Sequence, residues 1–257
     1  MSQNTLLLIF AIVNVIVLGI FAGTIVRQYL QRRREAQLYW SIALLMAFGA
    51  TLAYIFLVSG TPTSEMGKFF FRLYYVLGAA LTPAWLGLGS VALVTGKRTA
   101  RTCLFILCLV SLLAVVTISE APMDLVALAQ VAGTPGTGIL KPAGWLPTLI
   151  VLNTAGVVAI VGVAIYSGWK LLRRQANIAG VQTKNLLWAN VLILSGALCD
   201  AAAGTLARLF GLSSGFWLIM ALGWIIFYLG VLLTSQRKRR LNQPAQTAQT
   251  PKPLASI

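Results

Sequence analysis

Residues 5–26 read TLLLIFAIVNVIVLGIFAGTIV, a run of 22 residues without a charged side chain. The hydrocarbon core of a bilayer is about 30 Å thick and needs about 20 apolar residues in an α-helix, so this run predicts a membrane-spanning helix. Six further apolar stretches predict six more spans, and we place the seven near residues 5–26, 38–59, 70–94, 102–119, 147–169, 186–208 and 213–235. The sequence therefore predicts an all-α, polytopic membrane protein with seven transmembrane helices.

The overall composition agrees with this fold class. The 257 residues are 58% hydrophobic and only 10% charged, with a mean hydropathy of +0.85. Soluble domains hold about 25% charged residues, so an ordinary soluble domain is excluded. We interpret residues 1–240 as one transmembrane domain. Residues 241–257 are rich in Gln, Pro, Thr and Ala, and we expect them to form a disordered cytoplasmic tail.

The basic residues are distributed unevenly between the two sides of the predicted bundle. The net charge is +15, and sixteen of the twenty Lys and Arg residues fall on one side. Because positive charge collects in cytoplasmic loops, this bias predicts an N-terminus outside and a cytoplasmic C-terminus. The same charge can attract anionic lipid headgroups. No basic face with interleaved aromatic residues lies outside the spans, so we do not expect nucleic-acid binding.

Asp200 is the only carboxylate placed well inside a predicted span. A charge at that depth costs about 2.5–3.5 kcal/mol on insertion scales and rarely faces lipid. Gly196 and Gly204 lie four residues to either side, and this spacing predicts a helix-packing stripe that turns Asp200 into the bundle. Gly19 and Gly23 form a similar pair in the first span. We therefore expect Asp200 to be protonated or paired.

A proline in the third span supplies a candidate partner for Asp200. Pro83 lacks an N–H, so the carbonyl of Ala79 loses its helical donor. Together with Thr82, at a similar depth to Asp200, this carbonyl predicts an intramembrane polar site for a proton, a cation or a water molecule. The alternative interpretation is that Asp200 is a neutral acid that donates one interhelical hydrogen bond.

Two features are expected on the outer side. Arg72 and Arg208 fall at the outer ends of spans three and six, where they can contact lipid headgroups. They form an anion site only if these two spans are adjacent. Residues 120–146 make one long connection with a short apolar segment, which is either an amphipathic connector or a lid over a cavity.

The absence of certain residue types and motifs excludes several kinds of cofactor, metal and catalytic site. It contains no histidine, which excludes bis-histidine haem, histidine-ligated zinc or copper, and a histidine-based catalytic triad. The seventh span holds no lysine for a retinal Schiff base, and no phosphate-binding glycine motif occurs. We therefore predict no metal, no cofactor and no enzymatic activity.

Residues 72–89, RLYYVLGAALTPAWLGLG, resemble a segment of uncharacterised bacterial multi-span integral membrane proteins. The resemblance implies a multi-pass protein of the bacterial cytoplasmic (inner) membrane and no known activity. The seven-span plan with the N-terminus outside also looks like that of SWEET-type sugar transporters. The paired Pro-Gln signature of that family is missing from this chain.

These observations favour a non-enzymatic accessory, sensing or scaffold component that acts through helix and lipid contacts. Its expected partners are membrane lipids and other membrane subunits or a second copy of the chain. The alternative function is a small-solute or proton-coupled transporter that uses Asp200 beside the helix kinked at Pro83.

Overall fold

The computed structural model describes residues 3–175, 181–209 and 215–241, and these residues are predominantly helical. Within them the only β-type pairing is an isolated antiparallel bridge between Met123 and Leu140. The helices are α1 (Gln3–Arg32), α2 (Glu35–Ser59), α3 (Glu65–Tyr74), a π-helical segment (Tyr75–Leu81), α4 (Thr82–Val94), α5 (Lys97–Glu120), α6 (Leu125–Ala129), α7 (Trp145–Gln175), α8 (Val181–Leu209) and α9 (Phe216–Leu241).

The prediction of seven apolar helices is confirmed. In the described part of the chain, seven helices are long and apolar enough to cross a membrane, and α3, the π-helical segment and α4 together form the third of them. Some boundaries differ from the predicted ones. The third helix begins at Glu65 and the fourth at Lys97, because both continue into polar residues that hydropathy alone does not include. The predicted tail lies almost wholly outside the described residues.

The long helices pack in a closed ring. Helix α1 packs on α2, α2 on α4, α4 on α7, α7 on α8, and α8 on α9, which returns to α1. Helix α5 lies outside this ring against α4, α7 and the π-helical segment. Many large apolar side chains remain exposed on the outer faces of the helices, as expected where lipid replaces water.

The two ends of the bundle differ in chemistry. At one end, which we call the basic end, lie Arg32, Arg33, Arg34, Lys97, Arg98, Arg101, Lys170 and Arg173. At the other end residues 121–144 fold over the bundle, and we call this segment the cap. Its short helix α6 is capped at the N-terminus by Asp124, whose carboxylate accepts hydrogen bonds from the backbone N–H groups of Val126 and Ala127 at 2.9 and 3.1 Å.

Candidate functional site

The third span changes its helical geometry immediately before Pro83. In the π-helical segment the backbone is widened, and the N–H of Thr82 donates to the carbonyl of Leu77, five residues back. The Thr82 hydroxyl donates to the same carbonyl at 2.7 Å. π-Helical turns commonly occur where an α-helix must accommodate an irregular residue. Thr82 is therefore bound within its own helix.

The carbonyl of Ala79 has a donor from a neighbouring helix. The side-chain amide of Asn153 on α7 donates to it at 2.8 Å and also donates to the carbonyl of Leu149 at 3.0 Å. An unpaired carbonyl costs free energy in an apolar interior, and this amide removes that cost. Asn153 is not among the residues predicted from the sequence, although it is the only amide in the fifth span.

The backbones of α4 and α7 meet at the same level. Gly156 on α7 lies so close to the carbonyl of Pro83 that a Cβ at position 156 would overlap it, and such a Cβ would also lie 2.7 Å from the N of Ala84. Gly87 faces Gly156 from α4, with its own ideal Cβ position 2.9 Å from the Gly156 Cα. The kinked helix is thus held by α7 through one amide and two glycines.

Asp200 lies in a different interface, between α8 and α9. Its carboxylate faces Gly223, where an added Cβ would overlap Oδ1. Oδ1 is buried and has no hydrogen-bond partner. The structure thus brings Thr82, Pro83 and the Ala79 carbonyl together at one kink. The two polar groups there are hydrogen-bonded to residues other than Asp200, which instead lies against α9.

The four stripe glycines have different surroundings. A Cβ on Gly196 would lie 2.6 Å from the N of Phe227 and 2.8 Å from the carbonyl O of Gly223, so this glycine permits close approach of α8 and α9. A Cβ on Gly19 would lie 3.3 Å from Cε2 of Phe48, whereas an added Cβ on Gly23 or Gly204 would meet nothing within 4 Å. Among the residues of α8 whose exposure the structure describes, Ala189, Gly196, Ala203 and Ala207 are buried, whereas Asp200 is half-buried.

Arg72 lies beneath the cap. One of its terminal nitrogens donates to the carbonyl of Ala121 at 3.4 Å, and its buried Nε has no partner. The side chain of Arg208 lies outside the described residues, and so does the anion site that it would form with Arg72 if the two spans were adjacent.

The cap is bonded to buried tyrosines of the bundle. The Tyr54 hydroxyl accepts from the N–H of Gly133 at 2.8 Å and donates to the carbonyl of Val131 at 3.3 Å, and Tyr74 donates to the carbonyl of Pro135 at 3.2 Å. The two rings lie 5.2 Å apart, and the ring of Trp217 lies 4.4 Å from that of Tyr54. The cap therefore closes over a packed aromatic cluster.

At the basic end the charges are mostly uncompensated. Arg101 forms an ion pair of 3.1 Å with Glu35, and Arg173 stacks over the ring of Trp169 at 3.9 Å. Among the described residues no group of three or more His, Cys, Asp or Glu residues could hold a metal ion.

The chain matches no protein-family model, no curated protein and no solved structure. Its class therefore follows from its own geometry. Seven long apolar helices with lipid-compatible outer faces are characteristic of a multi-pass membrane protein.

Proposed function

We propose that this chain is a non-enzymatic integral membrane protein that serves as an accessory, sensing or scaffold component through helix and lipid contacts. We further propose that it resides in a bacterial cytoplasmic membrane with its basic end in the cytoplasm. The charge bias supports that orientation because Lys and Arg collect on the cytoplasmic side.

One observation supports this function above the others. The Ala79 carbonyl that Pro83 frees accepts a hydrogen bond from Asn153, and the Thr82 hydroxyl donates one to the carbonyl of Leu77. A binding site needs a few polar groups that converge on a common space. At this kink the polar groups are instead bonded to the protein itself, as expected of packing rather than of substrate recognition.

Photocrosslinking in native membranes tests this function. A photoreactive residue placed at the exposed positions Phe105, Val158 or Leu222 should give a crosslink to another protein chain from at least one helix face. The same residue at buried Ile118 is the control and should crosslink only within the chain. If all three exposed positions give lipid adducts alone, the protein-scaffold part of the proposal fails.

A second candidate function, proton-coupled or small-solute transport, rests on Asp200. A buried carboxylate oxygen without a donor is costly, and such groups in membranes often mark proton or ion pathways. In proteoliposomes with an entrapped pH-sensitive dye, transport predicts a proton flux that Asp200→Asn abolishes and that the exposed control Glu65→Gln preserves. Equal flux for both variants, or no flux above that of empty liposomes, would exclude this candidate.

A further inference from the structure

A groove lies at the basic end of α5, and it is separate from the kink and from Asp200. It is shallow and largely open, with a volume of ≈ 610 Å³, and its lining residues all come from α5: Lys97, Arg98, Arg101, Thr102 and Phe105. Three cations and one hydroxyl therefore border a single open space. This combination is suited to a phosphate, whose oxygens accept hydrogen bonds from all four groups.

The groove carries an excess of positive charge. Glu35 neutralises Arg101 in part, but no carboxylate in the described part of the chain lies within ion-pair distance of Lys97 or Arg98. Both of these side chains belong to exposed residues. Three cations against one carboxylate attract an anion and repel another basic surface.

An apolar stripe continues from the groove along α5. At 100° per residue, Arg98, Arg101, Phe105, Leu109, Leu112 and Val116 fall within an arc of about 80° on the helix. The four apolar members of this set are exposed by 67%, 55%, 63% and 45%, respectively. The buried residues of α5, which are Ala100, Ser111, Ala114 and Ile118, lie on the opposite side. The stripe therefore faces away from the bundle.

We infer that this surface binds one anionic phospholipid, with its phosphate among Lys97, Arg98 and Arg101 and an acyl chain along the stripe that starts at Phe105. The inference rests on the proposed membrane placement and adds a specific lipid contact to it. A soluble phosphate compound would use only the charged part of the surface. A phospholipid contacts both parts of the surface. Its charged headgroup fits the groove, and its acyl chain, which is attached to that headgroup, can continue along the apolar stripe.

Native mass spectrometry of the full chain tests this inference. The protein is released from nanodiscs that contain phosphatidylcholine with one fifth phosphatidylglycerol, and the retained lipids are counted. We expect one retained phosphatidylglycerol. The triple variant Lys97→Gln, Arg98→Gln, Arg101→Gln should weaken its retention at least about tenfold, since each basic residue near an anionic surface contributes roughly a fivefold factor.

Two further variants distinguish lipid binding at this specific site from general attraction of anionic lipid by the positively charged end of the bundle. The control triple variant Arg32→Gln, Arg33→Gln, Arg34→Gln removes the same charge at the same end. Because these three arginines do not line the groove, retention of the single bound lipid should change less than about twofold if the groove is the site. In the described part of the chain Glu35 is the only carboxylate paired with a cation of the groove, so Glu35→Gln should raise retention about threefold to fivefold.

The possible failures are distinguishable. A chain that does not enter nanodiscs contradicts the membrane placement itself. A chain that enters them but retains phosphatidylcholine and phosphatidylglycerol equally, or loses equal amounts of lipid in both triple variants, overturns the lipid site alone. Displacement of the lipid by millimolar inorganic phosphate would show that the groove binds free anions, and it would also overturn the inference.

Discussion

Replacing Gly156 with alanine is expected to lower the free energy of unfolding by about 1–3 kcal/mol, the usual cost of overpacking a close-packed interface. The added methyl would overlap the carbonyl of Pro83 and lie 2.7 Å from the N of Ala84. Both obstacles are backbone atoms, so no side chain can rotate away. Helices α4 and α7 must separate, which also lengthens the Asn153 hydrogen bond to Ala79. Thermal unfolding in mild detergent, followed by circular dichroism, measures the loss.

The same helix provides a matched control. A Cβ on Gly162, six residues further along α7, would meet nothing within 4 Å. Gly162→Ala makes the same chemical change without the contact, so its unfolding temperature should equal that of the wild type or rise slightly, because alanine favours the helix. Similar losses in both variants would mean that α4 and α7 do not approach at Gly156 as described.

The spans were predictable because their signal is local. Each needs only a run of apolar residues of the right length, and a bilayer permits few structures other than a helix for such a run. The helix ends were harder to predict. Lys97 and Glu65 are polar and lower the hydropathy of their windows, yet both lie in helices that continue beyond the apolar run.

The polar contacts at the kink were only half predictable. The sequence indicates that Pro83 frees the Ala79 carbonyl, because this consequence is local to one helix. Its partner depends on which helix packs against the kink, and neither periodicity nor composition specifies that neighbour. Asn153 is 74 residues away in the chain. A search for every amide inside a span would have included it, but could not have paired it with Ala79.

The sequence indicates where the cap lies in the chain, but it does not predict the conformation of the cap. Its length and its glycines predict an irregular segment, and Gly133, Gly136 and Gly138 have positive φ angles of 82°, 71° and 91°. Its attachment depends on Tyr54 and Tyr74, which come from two different helices. The sequence does not distinguish the two roles that these tyrosines could have, because an aromatic belt at the membrane interface and a buried aromatic cluster use the same residue types.

The second large effect is expected at Gly223, where α9 meets the carboxylate of Asp200. Gly223→Ala should lower the free energy of unfolding by about 1–3 kcal/mol, because the methyl would overlap Oδ1 and lie 2.8 Å from Cγ of Asp200. Gly204→Ala on α8 is the control, since a Cβ there would meet nothing within 4 Å. The measurement is again thermal unfolding in mild detergent.

A double-mutant cycle then identifies which part of Asp200 occupies the space. In the Asp200→Ala background the carboxylate is absent, so Gly223→Ala should cost less than about 0.5 kcal/mol, which leaves a coupling energy of about 1–2 kcal/mol. An undiminished cost would mean that the backbone of α8, whose Asp200 N lies 3.2 Å from the ideal Cβ position, is the real obstacle. The cycle also bears on transport. Oδ1 of Asp200 is buried against Gly223, so strong coupling between the two positions favours a packing role for this oxygen over a proton pathway.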